Sequence, residues 1–378
     1  MKIAIFTESY TPYISGVSRS VELLEKELKL LGHKPYIICP KYKTAIKKEE
    51  NIISLPSIPT KYPGYRIAMP LPLFLPKIEF DIVHTHSPFG MGLLAKHFAT
   101  KQKIPLVYSL HTLFTEYLHY APIPKFLSQP ILVRYMQKFA KNCNKVIVPN
   151  QTTLDYAVEN KIISEFEIIP TGVDFDAVNN ANGDEIRAKL NLPENAKILL
   201  FVGRLSKEKN IRFLLNMFKI VKGKAPNTFL CLAAKGPEES SLKSDVENLN
   251  LKNNVLFLGQ IPYPDILNYY KMADIFVFSS KTETQGIVIA EAKACGLPVV
   301  AINAKGVKES VIDGVDGFLT DEDIALFSEK VLSLCNDDKK RAIMGKNAEE
   351  DAMKRFSSKN IAKKFEWVYN SLVKGIKK

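Results

Sequence analysis

The amino-acid sequence predicts an α/β protein with two doubly wound domains, each built around a parallel β-sheet with helices on both faces. Two observations carry this prediction. Short apolar runs alternate with helical patterns along the chain, and the same alternation starts again after an irregular stretch at 168–196. A chain of 378 residues is also long enough for two domains with separate cores.

The first domain begins with an apolar run over residues 1–7, which predicts a buried strand. A loop with Pro12 and Gly16 follows, and then a helical pattern with apolar residues at 17, 21, 24, 28 and 31 that stops at Gly32. Further strands are predicted at residues 36–39, 81–85, 106–110 and 146–148.

The second domain shows the same alternation. Its predicted strands are residues 198–202, 229–233, 255–258, 275–278 and 299–302. The final stretch of about 50 residues has a helical pattern throughout and carries Trp367, the only tryptophan of the chain.

Composition narrows the function classes without naming one. The net charge of +12 leaves anionic lipid, nucleic acid and phosphorylated small molecules as partners. Five cysteines without a CxxC pair predict free thiols rather than a disulfide framework or a zinc ribbon. The apolar runs at 1–6 and 68–76 are too short for a signal-peptide core or a membrane span. We therefore expect a cytoplasmic protein, or one bound to a membrane at its surface.

Two loops at predicted strand ends are candidate phosphate sites, because open parallel sheets bind ligands at the carboxyl ends of their strands. Gly16 precedes a helix start, where backbone N–H groups are free to bind an anion. An ordinary strand–helix turn explains it equally well. Arg204 and Lys209 follow the first strand of domain two, and a guanidinium with an ammonium suits a diphosphate. The alternative there is an exposed charged turn.

A third loop carries two carboxylates seven residues apart. Glu283 is expected on the loop, Gly286 opens a helix, and Glu291 lies about one and a half turns into it. One carboxylate suits the hydroxyls of a ribose, and the loop N–H groups suit phosphate or sugar. Glutamates at this spacing also occur in unrelated proteins.

Three other patterns have structural explanations. Residues 90–95 fit GxGxxA, but no acidic residue ends the next strand, so NAD binding is not expected. Asp174 and Asp176 form a DxD pair in the connector, where we expect no metal. His84, His86 and His111 lie at strand ends, and His111 directly follows the strand at 106–110. A strand-end histidine is either a structural hydrogen-bonding group or a ligand contact.

Taken together, these loops resemble glycosyltransferase family 4, the retaining GT-B enzymes, over almost the whole chain. Residues 6–17 resemble the N-terminal signature of the family, Gly203-Arg204 with Lys209 its diphosphate clamp, and residues 283–291 its EX7E element. The resemblance implies two Rossmann-like domains that face each other across a cleft. Residues 1–180 would bind the acceptor and residues 190–358 the nucleotide sugar, with residues 359–378 packing back on the N-terminal domain.

The resemblance also implies roles for individual residues. Arg204 and Lys209 would bind the donor diphosphate, and Glu291 the ribose. Glu283 would contact the donor sugar or stabilise positive charge at its anomeric carbon, and His111 would touch the transferred sugar. Thr284-Gln285-Gly286 stands where many members have Gly-Phe-Gly. The expected donor-binding residues are Gly16, Arg204, Lys209, Thr284, Gln285, Gly286 and Glu291.

The Thr-Gln-Gly form, together with residues 64–66 and 84–90, is similar to a narrower group. This group contains the bacterial diacylglycerol glucosyltransferases and the phosphatidylinositol mannosyltransferases. It implies retaining transfer of a hexose, glucose or galactose, from a UDP-sugar to the 3-hydroxyl of 1,2-diacylglycerol. Phosphatidylinositol or a soluble sugar as acceptor is the alternative, and a nucleic-acid-binding protein is a distant one.

A basic segment favours a lipid acceptor. No acidic residue occurs at 117–154, and a helix is predicted to start at Pro130. Its basic residues Arg134, Lys138, Lys141 and Lys145 recur at helical spacing on one face, which suits an anionic membrane surface. A core helix with a solvated basic face is the alternative.

The stretch at 51–78 is also free of acidic residues and carries Tyr62 and Tyr65, so we expect it to form the access route of the acceptor. The predicted location is the inner face of the cell membrane, peripherally bound, with no nucleic-acid partner. We expect no tightly bound cofactor and no metal, because Arg204 and Lys209 can neutralise the diphosphate. Mg²⁺ would at most stimulate the reaction, and the sequence does not indicate an oligomeric state.

Overall fold

A computed structural model describes residues 1–13, 15–42, 50–60, 65–69, 71–75, 77–115 and 125–376. Tyr62, Gly64 and residues 117–124 lie outside the described residues. The chain divides into two compact units. Unit 1 comprises Met1–Gly172 with Ser358–Lys378, and unit 2 comprises Val173–Ser357.

Unit 1 contains a seven-stranded parallel sheet in the order β3-β2-β1-β6-β7-β8-β9. From β1 the chain proceeds outward to β2 and β3, and then returns to the other side of β1 with β6. The topological switch point therefore lies between β1 and β6. The strands of this sheet are β1 Lys2–Phe6, β2 Lys34–Pro40, β3 Ile52–Leu55, β6 Ile82–Thr85, β7 Leu106–Ser109, β8 Lys145–Val148 and β9 Phe166–Ile168.

Helices cover both faces of this sheet, which is why its central strands are buried along nearly their whole length. Ile3 and Ile5 of β1 pack in one core cluster with the first and last helices, α1 and α13. Ala4 and Phe6 point to the opposite face and pack against α2. The unit also holds a separate antiparallel hairpin, β4 Ser57–Pro59 with β5 Arg66–Ala68. Its helices are α1 Gly16–Leu30, α2 Gly90–Gln102, α3 Lys125–Ala140, α4 Gln151–Glu159 and α13 Ser358–Ile376.

Unit 2 contains a six-stranded parallel sheet in the order β12-β11-β10-β13-β14-β15, with its switch point between β10 and β13. The strands are β10 Lys197–Arg204, β11 Thr228–Lys235, β12 Val255–Phe257, β13 Ile275–Phe278, β14 Val299–Ile302 and β15 Gly317–Thr320. The helices are α5 Phe175–Asn179, α6 Asp184–Lys189, α7 Ile211–Lys224, α8 Glu239–Asn248, α9 Ile266–Met272, α10 Ile287–Ala294, α11 Ile324–Cys335 and α12 Asp338–Phe356.

The predicted α/β fold class is confirmed, and every predicted strand is present with bounds shifted by a few residues. The prediction missed β3, β9 and β15, which are edge strands of four residues or fewer, and also β4 and β5, the three-residue strands of the separate hairpin. Short edge strands bury one side only, so their apolar signal is weak. The connector at 168–196 holds α5 and α6, and Asp174 of its DxD pair caps α5 by accepting from the Ala177 N–H at 3.2 Å.

The predicted basic helix is wrong at both ends. It begins at Lys125, so Pro130 lies inside α3 rather than at its first position. It ends at Ala140, and Lys145 begins β8, where its ammonium pairs with Glu165 at 3.1 Å. The turn after Ala140 breaks the helical spacing that had placed Lys145 on the same face as Lys138. None of the helices in the described part of the chain combines the length and apolarity needed to cross a bilayer.

Candidate active site

In unit 2, two loops at the switch point are held together by an ion pair. Lys209 lies in the loop after β10 and Glu283 in the loop after β13, and the Lys209 ammonium contacts Oε1 of Glu283. Ser279 follows β13 and donates from its hydroxyl to the carbonyls of Lys209 at 2.7 Å and Asn210 at 3.1 Å. Asn210 adopts φ +55° between this loop and α7. The backbone therefore fixes where the ammonium and the carboxylate meet.

The loop after β13 turns sharply into α10 at Gly286. This glycine has φ +71°, a conformation that other residues rarely adopt, and it stands at the N-cap of α10. A neighbouring loop supports it from behind, since the hydroxyl of Ser310 donates to the Gln285 carbonyl at 2.8 Å. Gly306 is required there, because an added Cβ would lie 2.1 Å from the carbonyl oxygen of Thr284. The loop next to Glu283, residues 284–286, is thus held in place by Ser310 and Gly306.

Glu291 is a buried carboxylate of α10, and a buried phenol orients it. Tyr270 of α9 donates from its hydroxyl to Oε2 of Glu291 at 3.0 Å. Burial, reinforced by the charge of Glu291, raises the pKa of Tyr270 well above its usual value, so the phenol keeps its proton. Sequence reasoning singled out Glu291 and missed Tyr270, which carries no motif of its own.

Arg204 ends β10 with an exposed side chain, whereas Lys209 and Glu283 are largely buried. The structure therefore brings Lys209 and Glu283 into direct contact. It places Arg204 and the loop 284–286 at the same edge of the same sheet. An exposed guanidinium beside a buried ion pair leaves the edge positively charged and suits a diphosphate.

In unit 1, Gly16 begins α1. Ser15 caps this helix, accepting from the Ser18 N–H at 3.0 Å, and the Ser18 hydroxyl accepts from the Ser15 N–H at 2.8 Å. Gly16 itself is exposed, so a ligand can approach its backbone.

His111 follows β7, as predicted, and is hydrogen-bonded to a second histidine. Nε2 of His111 lies 2.8 Å from Nδ1 of His86, and the rings stack with centroids 5.0 Å apart. Burial lowers the pKa of His111 to about 4 and that of His86 well below its usual value, so both rings are neutral near pH 7. Nε2 of His86 is buried without a partner among the described residues.

A buried N–H without a partner is rarer than a buried acceptor without one, which favours His86 as the donor in this pair. His111 then carries its proton on Nδ1. No described residue accepts from this N–H, which leaves it available for an oxygen atom of a ligand.

His84 has a structural role. Its ring is fully buried, with Nδ1 2.8 Å from the Tyr369 hydroxyl and Nε2 2.8 Å from the Ser109 hydroxyl. The bond to Tyr369 ties β6 to α13, the helix that returns to unit 1 at the end of the chain.

Sequence comparisons identify the family of the chain. Residues 14–177 match the family described as Glycosyltransferase Family 4, and residues 182–351 match Glycosyl transferases group 1. The chain is 33% identical over 317 residues to an alpha-monoglucosyldiacylglycerol synthase of Streptococcus pneumoniae, covering 80% of this chain and 71% of that protein. It is 29% identical to a protein of the same name from Acholeplasma laidlawii, covering 99% of this chain and 98% of the other.

The chain belongs to the group 1 glycosyltransferases. Solved structures show that this glycosyltransferase has the GT-B fold. Sucrose-phosphate synthase from Thermosynechococcus elongatus superposes with a TM-score of 0.80 at 22% identity, covering 99% of each chain. The Anabaena protein HepE, solved in complex with UDP-glucose, superposes with a TM-score of 0.78 at 22% identity, covering 98% of this chain and 100% of that one.

Within the described part of the glycosyltransferase, no group of three or more His, Cys, Asp or Glu side chains is arranged to hold a metal ion. At the unit 2 site, Arg204 and Lys209 carry positive charge.

Proposed function

We propose that this glycosyltransferase transfers a hexose from a UDP-sugar to the 3-hydroxyl of 1,2-diacylglycerol with retention of anomeric configuration. The observation that carries the proposal is the Lys209–Glu283 pair at the switch point of unit 2. A cation and a carboxylate fixed side by side suit the two charges that develop when a glycosyl diphosphate separates.

In this proposal most contacts to the donor are assigned to residues of unit 2, and two are assigned to residues of unit 1. Arg204 and Lys209 bind the diphosphate, and Glu291, oriented by the hydroxyl of Tyr270, accepts from a ribose hydroxyl. His111 donates from Nδ1 to the transferred sugar, and Gly16 lets the phosphate approach unit 1. The loop 284–286 supplies backbone N–H groups to the donor.

The reaction exchanges one C–O bond for another at the anomeric carbon. The bond to the diphosphate breaks, and Lys209 and Arg204 stabilise the negative charge on the leaving group. Glu283 stabilises the positive charge that grows on the sugar. The acceptor oxygen bonds to the same face of the carbon, and its proton passes to the departing diphosphate.

Two observations support a lipid acceptor. The first observation is the similarity to the two alpha-monoglucosyldiacylglycerol synthases, which extends over most of the length of each of them. Their name favours glucose over galactose as the hexose. The second observation is a surface of unit 1 formed where α2 and α3 pack together. The rings of Phe89 and Tyr135 stack there at 5.8 Å, and the Tyr135 hydroxyl donates to the Pro88 carbonyl.

This surface, which we name the α2–α3 platform, exposes apolar and basic groups side by side. Its exposed apolar residues are Phe89 at the N-cap of α2, Leu93 of α2 and Ile131 of α3, the last with 69% of its area accessible. The exposed basic residues Arg134 and Lys138 of α3, together with Lys141 in the turn that follows the helix, form what we name the α3 basic face. Basic residues beside exposed apolar ones suit an anionic membrane with apolar anchors in the headgroup region. We infer peripheral binding to such a membrane.

A screen of donors against acceptors tests the proposal. UDP-glucose, UDP-galactose and GDP-mannose are each offered with diacylglycerol in anionic vesicles, phosphatidylinositol vesicles, and soluble sugars. Mass spectrometry and NMR then identify the product and its anomeric configuration. An α-hexosyl-diacylglycerol from a UDP-sugar is the expected product. The proposal would be refuted if the sugar were transferred to phosphatidylinositol or to a soluble sugar instead, or if the product had the inverted anomeric configuration.

The donor site is tested by substitution. Glu283→Ala, Arg204→Ala and Lys209→Ala should each lower kcat by about 100-fold or more, the scale of losing one preorganised charge-stabilising group. Lys207→Ala is the matched control, since Lys207 is an exposed cation in the same loop and has no role in the proposal. Near-normal turnover of the first three variants at saturating donor would remove this site assignment.

A further inference from the structure

The switch point of unit 1 carries a carboxylate that the donor site does not use. Glu8 follows β1, and the loop after the neighbouring strand β6 begins with His86 and Ser87. In unit 2 the equivalent position holds the Lys209–Glu283 pair. Open parallel sheets bind ligands at this point, outside the carboxyl ends of the strands that flank the switch. Both units therefore present ionisable side chains where a ligand is expected.

One oxygen of Glu8 is held firmly by the β6–α2 loop and the start of α2. Oε1 accepts from the Met91 N–H at 3.0 Å and from the Ser87 hydroxyl at 3.2 Å. No described residue donates to Oε2, and the side chain is only half-buried. The carboxylate is thus fixed in orientation, with one acceptor oxygen left for a ligand.

The surroundings of Glu8 are aromatic and partly apolar. The two residues that hold Glu8, Ser87 and Met91, flank Phe89, and the Tyr135 hydroxyl donates to the Pro88 carbonyl in the same loop. Burial raises the pKa values of Tyr65 and Tyr135, and the charge of Glu8 adds to the rise in both. Tyr65 packs against Tyr13 with ring centroids 5.3 Å apart. Tyr135 stacks on Phe89, which belongs to the α2–α3 platform. The free oxygen of Glu8 therefore lies beside the surface proposed to contact lipid.

We propose that Glu8 binds the hydroxyl group of the acceptor and selects a neutral alcohol over an anionic headgroup. A fixed carboxylate oxygen accepts a hydrogen bond from a hydroxyl, whereas it repels a phosphate. The aromatic side chains next to it suit the glycerol backbone and the start of the acyl chains. This inference rests on the proposed function, since it assigns the acceptor site of the same reaction.

The test compares Glu8→Gln with a matched control, Glu79→Gln, which makes the same change at an exposed glutamate of unit 1. Glutamine keeps the shape of the side chain, and its carbonyl oxygen can still accept from Met91 and Ser87. Its amide then offers a donor where Oε2 offered an acceptor. Urea unfolding is followed by the fluorescence of Trp367, which belongs to unit 1. It checks that the variant unfolds at the same urea concentration as the parent and is therefore equally stable.

Transfer is measured with diacylglycerol at varied surface fraction in vesicles, together with the affinity for UDP. Losing a hydrogen bond to a charged group should lower kcat/KM for diacylglycerol by about tenfold to a hundredfold. Affinity for UDP should stay unchanged, because the side chains proposed to bind the nucleotide, Arg204, Lys209 and Glu291, lie in unit 2. In a mixture, the ratio of product from phosphatidylinositol to product from diacylglycerol should rise. If Glu8→Gln does not fold, Ser87→Ala, which removes one of the two bonds to Oε1, should raise KM for diacylglycerol without changing UDP affinity.

The outcomes separate this inference from the proposed function. If the parent protein makes no glycosyl-diacylglycerol, the proposed function fails whatever the variants do. If the parent is active, and Glu8→Gln and Ser87→Ala match Glu79→Gln in kcat/KM and in acceptor ratio, Glu8 does not bind the acceptor. A loss of UDP affinity equal to the loss of kcat/KM would also overturn the assignment.

Discussion

His84 makes the stability of unit 1 depend on pH. Its ring is fully buried between the hydroxyls of Ser109 and Tyr369, and burial lowers its pKa to about 3. In the unfolded chain the pKa returns to about 6.5. Between these two pKa values, His84 is therefore protonated in the unfolded state and neutral in the folded state. The stabilising contribution is complete above the unfolded pKa and is lost progressively as the pH falls below it.

The expected magnitude follows from these two pKa values. At pH 7.5 protonation of the unfolded ring costs less than about 0.1 kcal/mol of stability, and at pH 5.5 it costs about 1.4 kcal/mol. This loss of stability is the same for any folded pKa below about 4.5, because the native ring is then neutral at pH 5.5. His84→Asn should therefore lose about 1.3 kcal/mol less stability than the parent between these two pH values.

Urea unfolding followed by Trp367 fluorescence measures this difference. Trp367 is the only tryptophan and lies on α13, so its signal reports on unit 1. His97→Asn is the control, because His97 is exposed on α2 and should leave the pH dependence of the parent intact. If His84→Asn loses as much stability as the parent between pH 7.5 and 5.5, the histidine is charged in the folded state and the reasoning fails.

Three further predictions concern metal, membrane and donor. Turnover should persist in EDTA, with Mg²⁺ at most stimulating it, because Arg204 and Lys209 supply the positive charge; complete and reversible loss with EDTA would refute this. Changing all three residues of the α3 basic face to Gln should weaken co-sedimentation with anionic vesicles, each charge contributing about 1 kcal/mol at low salt. Lys145→Gln, in β8, is its control, and equal sedimentation of parent and triple variant would exclude this face. Tyr270→Phe should raise KM for the UDP-sugar several-fold with little change in kcat, and an unchanged KM would show that the orientation of Glu291 does not matter.

Local patterns in the sequence predicted the fold class and the position of the loops. The buried central strands appear as apolar runs because parallel sheets hide both faces of their strands. The carboxyl ends of those strands then point to Arg204, Lys209, Glu283 and His111 without any coordinates. The same reasoning failed at Lys145, because helical spacing alone does not register the turn after α3.

Partnerships across the chain were decided only by the tertiary structure. Lys209 meets Glu283 from 74 residues away, and His84 meets Tyr369 from 285 residues away. Glu8 follows the first strand in the sequence, but its partners Ser87 and Met91 lie 79 and 83 residues further along the chain. Hydrophobic periodicity records which face of an element is buried. It does not record strand order, and strand order determines which loops become neighbours at a switch point and which side chains hold one another there.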